Sequence, residues 1–553
     1  MAETKFIGNI QKELTGKYDE VTCSSSECLQ LINDALLQLF NFNHDQTILD
    51  CKKALTIDKD CIMAHYLIAY SNAGHYNNLD GMDYREGYEE AEIASSLAKR
   101  ITLTDWEKGL IEAQVHRFCS PVGSVPLGTL NKNYANAMRS VYSKFGENNV
   151  VVAALFAESL MNLAPWKLWT PYPEYKEGIP ETGELVKVLE NALKQSPQHP
   201  GLCHFYIHTM ELSATPEKAL PCADALRETI KDHGHLLHMA SHIDMWVGHY
   251  KEATEVNELA ILADKRYMLT SKVENNFYKM YRMHNFHFIV WAAMFNGQLG
   301  KSLEFAEELQ EYSNLEGVTA MLGNIPFGMT YSEPTRVIIW EVLIRFGKWE
   351  DILKRPIEQN KELYPSNIAM ARYARGVAYA ALGKVAEAEV ERDLFYESLK
   401  NKTLAKRRIM NSYMYNPETP GKCILDVADS VLNGEIEYRK GNYQQAFDHL
   451  RLAVKRDTSL VYGEPWSWLM PTRHVLGALL LEHGDVQEAE AVYRDDLIQY
   501  KDNMWSLLGL HQSLKAQNKL DEAQSVYEKY QKASVLADIK VGASCLCATK
   551  MCS

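Results

Sequence analysis

Gly248-His249-Tyr250-Lys251-Glu252-Ala253 is the first clear copy of a pattern that decides the fold. The pattern is Gly, then a Tyr, Trp, Val or Leu two residues on, then a small or aliphatic residue three further on. It returns as Gly297/Leu299/Ser302, Gly347/Trp349/Ile352, Gly383/Val385/Ala388, Gly441/Tyr443/Ala446 and Gly484/Val486/Ala489, with Asn518/Leu520/Ala523 as a degenerate copy. Each copy lies between two apolar segments with helical spacing. Gly suits a helix C-terminus that ends in a left-handed residue. The residue two on closes the hairpin interior, and the small residue lets two helices approach. A repeated helix-turn-helix hairpin is the expectation, and internal repeats outrank other signals in setting the fold.

The pattern resembles the turn and second-helix start of the tetratricopeptide repeat. Gly434 in Leu432-Asn433-Gly434 and Gly477 in Val475-Leu476-Gly477 fall at its Leu-Gly position, and Ala489-x3-Tyr493 and Ala523-x3-Tyr527 match its Ala-x3-aromatic step. The resemblance implies an all-α solenoid, a right-handed superhelix of such hairpins. Other segments resemble the tetratricopeptide repeat protein 38 family: Met161 to Trp169, His204 to His208, His235 to Ile243, His284 to Phe288, Arg345 to Trp349 and Glu464 to Arg473. Ala240 stands where that family usually has Pro. The family resemblance implies no particular activity.

The expected organisation is a lead-in over 1–25, one array over 26–532, and a Cys-containing tail over 533–553. Within the array, His-rich repeats fill about 195–300 and regular repeats about 330–532. Pro165–Pro180, with Trp166, Trp169, Tyr172 and Tyr175, is too rich in Pro for helix, and Pro326–Pro334 reads as a second loop.

Fifty-eight Lys and Arg against seventy-two Asp and Glu give a formal charge of -14. Such a chain lacks the clustered cations that nucleic acid or an anionic membrane needs. No apolar leader follows Met1, and no apolar run reaches bilayer length. Eleven Cys without framework spacing read as reduced cytoplasmic thiols. Cys61, Cys203 and Cys222 are expected as core fillers.

Seven of the eighteen His fall at helical spacing between 204 and 287: His204, His208, His235, His238, His242, His284 and His287. Residues three, four or seven apart share a helix face, so His204, His208 and Glu211 form one stripe, and His235, His238 and His242 another. Counting each turn Gly as position fifteen, these residues fall at first-helix positions two, five, nine and twelve. In the tetratricopeptide family those positions line the concave groove. Neutral imidazole is a common ligand for Fe, Cu and Zn, and ligands on successive turns of adjacent helices converge. The reading is a one- or two-metal site with His204, His208, His238 and His242 as first ligands. Glu211, His235, His284 and His287 then act as catalytic or outer-sphere groups. Few carboxylates argue against Mg or Ca and lean towards redox chemistry at Fe or Cu, with hydrolysis second. The alternative is a scaffold that binds a peptide or partner protein in the groove, with no enzymatic role. His233 and His249 read as surface residues, and His65, His75 and His116 as lacking partners.

Trp166, Trp169, Tyr281, Arg473 and His474 are the weaker candidates for contacting a small-molecule or peptide substrate. A Glu464–Arg473 ion pair is an equal reading for Arg473. Cys545 and Cys547 form a C-x-C pair, read as exposed tail thiols or as ligands brought to the His cluster by a flexible tail.

Overall fold

The computed structural model describes residues 21–78, 83–170, 177–271, 277–313 and 326–549. The chain divides into two compact units: residues 1–243 with 259–282, and residues 244–258 with 283–553. The single array expected over 26–532 spans both. Residues 1–20 of the expected lead-in, and Tyr172 and Tyr175, lie outside the described residues.

In both units the architecture is helical hairpins, a solenoid of the tetratricopeptide type. Among the described residues, two-residue strands occur at Arg408–Ile409 and Ser412–Tyr413, paired antiparallel. The turn motif does what its chemistry requires. Gly248, Gly297, Gly347, Gly383, Gly441 and Gly484 all have φ between 60° and 107°, and Asn518 has φ 58°. These are left-handed residues, which Gly adopts freely and Asn tolerates. At Gly484 the backbone N–H returns to Leu480 O at 2.9 Å, closing helix Thr472–His483 before helix Val486–Gln499 begins.

The small residues behind each turn are buried. Ala253, Ala388, Ala446 and Ala489 have no exposed surface. The Leu-Gly position works by close approach: a Cβ on Gly477 would stand 2.6 Å from the Tyr493 ring, and one on Gly509 2.1 Å. Tyr493 therefore packs where two helices present no side chain.

One expectation is corrected. Pro326–Pro334 is not a loop, because helix Pro326–Thr335 runs through it. Its first Pro stands at the first helical position, where the missing N–H has no partner to lose. Pro334 falls in the last turn, so it interrupts little of the ladder.

The described end of the tail around the two cysteines is also not exposed. Ala543, Ser544, Cys547 and Ala548 are fully buried in the second unit. Ser544 Oγ donates to His474 O at 2.8 Å and lies 2.6 Å from the Tyr493 hydroxyl, and Arg345 Nη1 donates to Ser544 O at 3.3 Å. Cys545 and Cys547 are joined as a disulfide, so the pair is neither a free dithiol nor a surface one. No helix among the described residues is long and apolar enough to cross a membrane.

Candidate metal centre

The cluster in the first unit is built on two helices, Pro200–Met210 and Gly234–Val247. The first starts with Pro200 at N1, and His199 caps it by accepting from Leu202 N–H at 3.2 Å. Gly201 lets it close on helix Ser26–Phe40, since a Cβ there would meet the Phe40 ring at 2.4 Å. That approach brings Phe40 O to 2.7 Å from His204 Nδ1. The second helix is tied down at its N-terminus by residues far away in sequence. Leu236 N–H donates to Asn41 Oδ1 at 3.1 Å, and His235 N–H donates to the Tyr278 hydroxyl at 3.3 Å. Orphan donors of a helix start are thus satisfied within the core.

Glu211 joins the helices. It is the C-cap of helix Pro200–Met210 and is fully buried. Its Oε1 accepts from His208 Nδ1 at 3.0 Å and its Oε2 from His242 Nδ1 at 2.6 Å. His242 Nε2 then lies 2.8 Å from His238 Nε2, and the Ser241 hydroxyl stands 3.5 Å from His238 Nδ1. The ring centroids of His204 lie 4.9 Å from those of both His208 and His235. None of these seven residues exceeds 1% exposure. A concave, solvent-lined groove is therefore the wrong description of their setting.

These hydrogen bonds settle tautomers. A carbonyl or carboxylate oxygen only accepts, so the imidazole nitrogen facing it must carry the proton. His204, His208 and His242 are thereby protonated on Nδ1 and in their neutral forms keep a lone pair on Nε2. Burial, only partly offset by the Phe40 hydrogen bond, pulls His204 down to about 3. It is neutral at physiological pH, and its buried Nε2 has no hydrogen-bond partner. Two overlapping triplets have nitrogen or oxygen atoms all within 4.8 Å of one another: His204, His208 and His235, and His208, Glu211 and His242. His235, expected as an acid–base group, thus stands with two of the expected ligands.

Aromatic residues wall the cluster. Phe42 lies 4.5 Å from His204, 5.7 Å from His235 and 6.2 Å from His208 between ring centroids. Its φ of 55° is left-handed, so it takes the turn position that Gly fills in the regular repeats. Tyr281 lies 4.2 Å from His235. Trp166, also left-handed at φ 60°, stacks on Tyr76 and meets His208 edge-on at 5.7 Å. Trp169 is anchored by its indole N–H to Thr209 O at 2.6 Å.

Sequence reasoning missed Phe42, Tyr76 and a further pair of imidazoles. His44 and His75 are buried with centroids 4.3 Å apart, and His75 is 4.6 Å from Phe42. His44 donates from Nδ1 to Ser71 O at 3.0 Å, leaving a buried Nε2 without a partner. Burial drives His44 down to about 4 and His75 well below its usual value. His75 therefore does not lack company. Neither does His65, which pairs with Glu90 at 2.5 Å. His233 is half-buried rather than a surface residue. The only signal for His44 was its place in Asn41-Phe42-Asn43-His44, a hairpin turn without Gly.

The remaining expected site residues belong to the second unit. His287 is buried and pulled down to about 4 by burial, and the half-buried His284 packs against Phe288 at 5.1 Å. His474 donates from Nε2 to Asp496 Oδ2 at 2.9 Å, and Asp496 also accepts from Ser506 and Asn503. Arg473 Nη1 reaches Gln499 Oε1 at 3.5 Å. Glu464 accepts from the Trp246 indole at 3.0 Å and from the Tyr462 hydroxyl.

No protein-family model matches the chain, and no curated protein matches it. Among solved structures, it is similar to a human IFIT1 dimer with m7Gppp-AAAA at 14% identity, covering 96% of this chain and 95% of that one, with a TM-score of 0.29. It is also similar to the APC/C hetero-tetramer Cut9-Hcn1 at 11% identity, covering 96% of each chain, with a TM-score of 0.27. Similarity at this level says nothing of a shared site.

Proposed function

We propose that the first-unit cluster is a transition-metal centre held by His204, His208 and His235, and that the protein is a metal-dependent enzyme acting on a small molecule or peptide. The observation that carries the reading is the commitment of Nδ1. In His204 and His208 that nitrogen is hydrogen-bonded to an oxygen, which leaves Nε2 of each neutral ring as the lone-pair donor. Carboxylate or carbonyl support of Nδ1 is the usual outer-sphere arrangement of ligating imidazoles. The all-imidazole donor set suits Fe, Cu or Zn.

A bound ion would supply Lewis-acid or redox chemistry, and the carboxylate-poor shell favours redox at Fe or Cu. The chain's own contribution is orientation and proton movement. Glu211 fixes two imidazoles at once. His238 donates from Nε2 to His242 Nε2 at 2.8 Å, so a proton can pass from His238 to His242. Phe42, Tyr76, Tyr281 and Trp166 exclude water.

The second reading is a repeat scaffold without enzymatic activity that binds a peptide or protein partner. The near-complete burial of the imidazoles favours it, since a substrate must gain access to them. Metal analysis of untagged protein separates the two. Stoichiometric Fe, Cu or Zn, lost in His208→Ala, supports the centre. A preparation that holds no metal and takes up none in dialysis refutes it. The motif set supports membership of the tetratricopeptide repeat protein 38 family, and the free thiols support a cytoplasmic location.

A further inference from the structure

A second group of ligand-type side chains lies in the first unit, outside the His cluster, where three helix ends meet. Cys28 is in the first turn of helix Ser26–Phe40. Asp58 is the C-cap of helix His44–Ile57. Cys61 is the N-cap of helix Ile62–Asn72 and makes no side-chain capping hydrogen bond. The two sulfurs and a carboxylate oxygen lie within 4.8 Å of one another. Cys23 adjoins Cys28 without being part of that triplet, its thiol donating to Ser25 O at 3.5 Å. All three cysteines are free thiols.

We propose that Cys23, Cys28, Cys61 and Asp58 form a structural site for a thiophilic divalent cation, with Zn2+ the best fit. Three sulfurs and one oxygen make up the four-ligand set that structural Zn2+ takes. The spacing is two short clips, Cys23-x4-Cys28 and Asp58-x2-Cys61. Asp58 is already oriented, accepting from Ser24 N–H at 2.9 Å and Asp60 N–H at 3.1 Å. Cys28 and Cys61 are buried while Cys23 and Asp58 are partly exposed, which gives the ion a way in.

Three thiolates, a carboxylate and a divalent cation sum to a net charge of about −2, and two of the thiolates sit at helix N-termini, where negative charge is stabilised. Without a cation, burial foremost holds all three thiols protonated, with neighbouring acidic groups adding to it. Binding releases one proton from each thiol to solvent as each sulfur bonds the ion, with no change in oxidation state. The site would pin the start of the first described helix to the hairpin after it.

The test is a Co2+ titration of full-length protein kept reduced with a phosphine, followed in the near ultraviolet. Thiolate-to-cobalt charge transfer reports sulfur ligands and is silent for imidazole, so this result stands apart from that of the His centre. The expected outcome is a thiolate band saturating at one equivalent and displaced by Zn2+. The band should be lost in Cys28→Ser and Cys61→Ser, and retained in Cys203→Ser, Cys222→Ser and His208→Ala. Asp58→Asn, at a partly exposed position, should weaken binding by about tenfold or more. Absence of the band in wild-type protein with titratable thiols would overturn the proposal. So would a band that persists unchanged in both Cys28→Ser and Asp58→Asn.

Discussion

Glu211→Gln isolates what the cluster's geometry is for. The carboxylate accepts two imidazole N–H groups, at 3.0 Å from His208 and 2.6 Å from His242, with no exposure to water. A carboxamide has nearly the same shape but only one oxygen. Its NH2 group must face the second imidazole donor to donor. That ring then has to move its proton to Nε2, which removes a ligand lone pair, or rotate away. Loss of outer-sphere support of this kind lowers metal affinity about 10–100-fold, equivalent to about 1.4–2.8 kcal/mol. The metal-free protein should also weaken, because a buried hydrogen bond to a charged group is worth about 1.5–3 kcal/mol. Chelator-competition titrations with Zn2+ give the first quantity, and denaturant unfolding of the metal-free protein gives the second. Wild-type affinity in Glu211→Gln would refute the tautomer argument. A stability loss with unchanged affinity would make Glu211 a structural residue only.

Removing metal by dialysis against a chelator should lower the thermal midpoint and restoring Zn2+ should recover it, with the His-centre contribution absent in His204→Ala, as calorimetry can check. Phe42→Gly relieves a left-handed backbone worth about 1–2 kcal/mol but deletes a buried ring of a kind that costs about 3–5 kcal/mol, so denaturation should show a net loss. Gly484→Ala meets no atom within 4 Å, whereas Gly248→Ala brings a Cβ to 2.6 Å from Lys501 O. Both should destabilise through backbone strain, and Gly248→Ala should cost clearly more in the unfolding midpoint. Glu341 is pushed up to about 8 by burial from a usual value of 4.5. The folded state keeps its proton between those limits while the unfolded chain has lost it, so stability should fall as pH rises through that window. Glu341→Gln should flatten the fall, seen as melting temperature against pH.

The repeat was legible because its determinants are local. A left-handed turn needs Gly or Asn within one hairpin, and seven such positions read from sequence all have positive φ. The first hairpin was not legible for the converse reason. Phe42 takes a left-handed turn without the residue that signals one, held by Asn43 N–H to Gln38 O at 2.9 Å. The His stripes were visible through their three- and four-residue spacing, but what surrounds them was not. Phe40, Phe42, His44 and His75 reach the cluster from more than a hundred residues upstream, and no periodicity carries such pairings. Pro326–Pro334 misled because two prolines suggest a break unless each sits at a helix end.

Burial of the cluster raises the question of why a helical repeat would keep it. Interiors between hairpins are filled elsewhere by Ala, Leu and aromatic residues, as around Tyr493, Leu450 and Trp505. An imidazole in such a place loses its hydration and, for His204 at about 3, its charge throughout the physiological range. Leaving a buried acceptor unsatisfied costs about 1–3 kcal/mol, and His204 and His44 each carry one. Apolar residues of similar volume would fold as well or better, since buried polar groups are often replaceable without loss. A purely structural role therefore accounts for Glu211 and the hydrogen bonds it makes, but not for a lone pair held bare beside two other imidazoles. A ligand that accepts electron pairs accounts for both. The same logic applies to Cys28 and Cys61 with Asp58: buried sulfur alone is ordinary packing, whereas sulfurs gathered around an oriented carboxylate gain most from a cation.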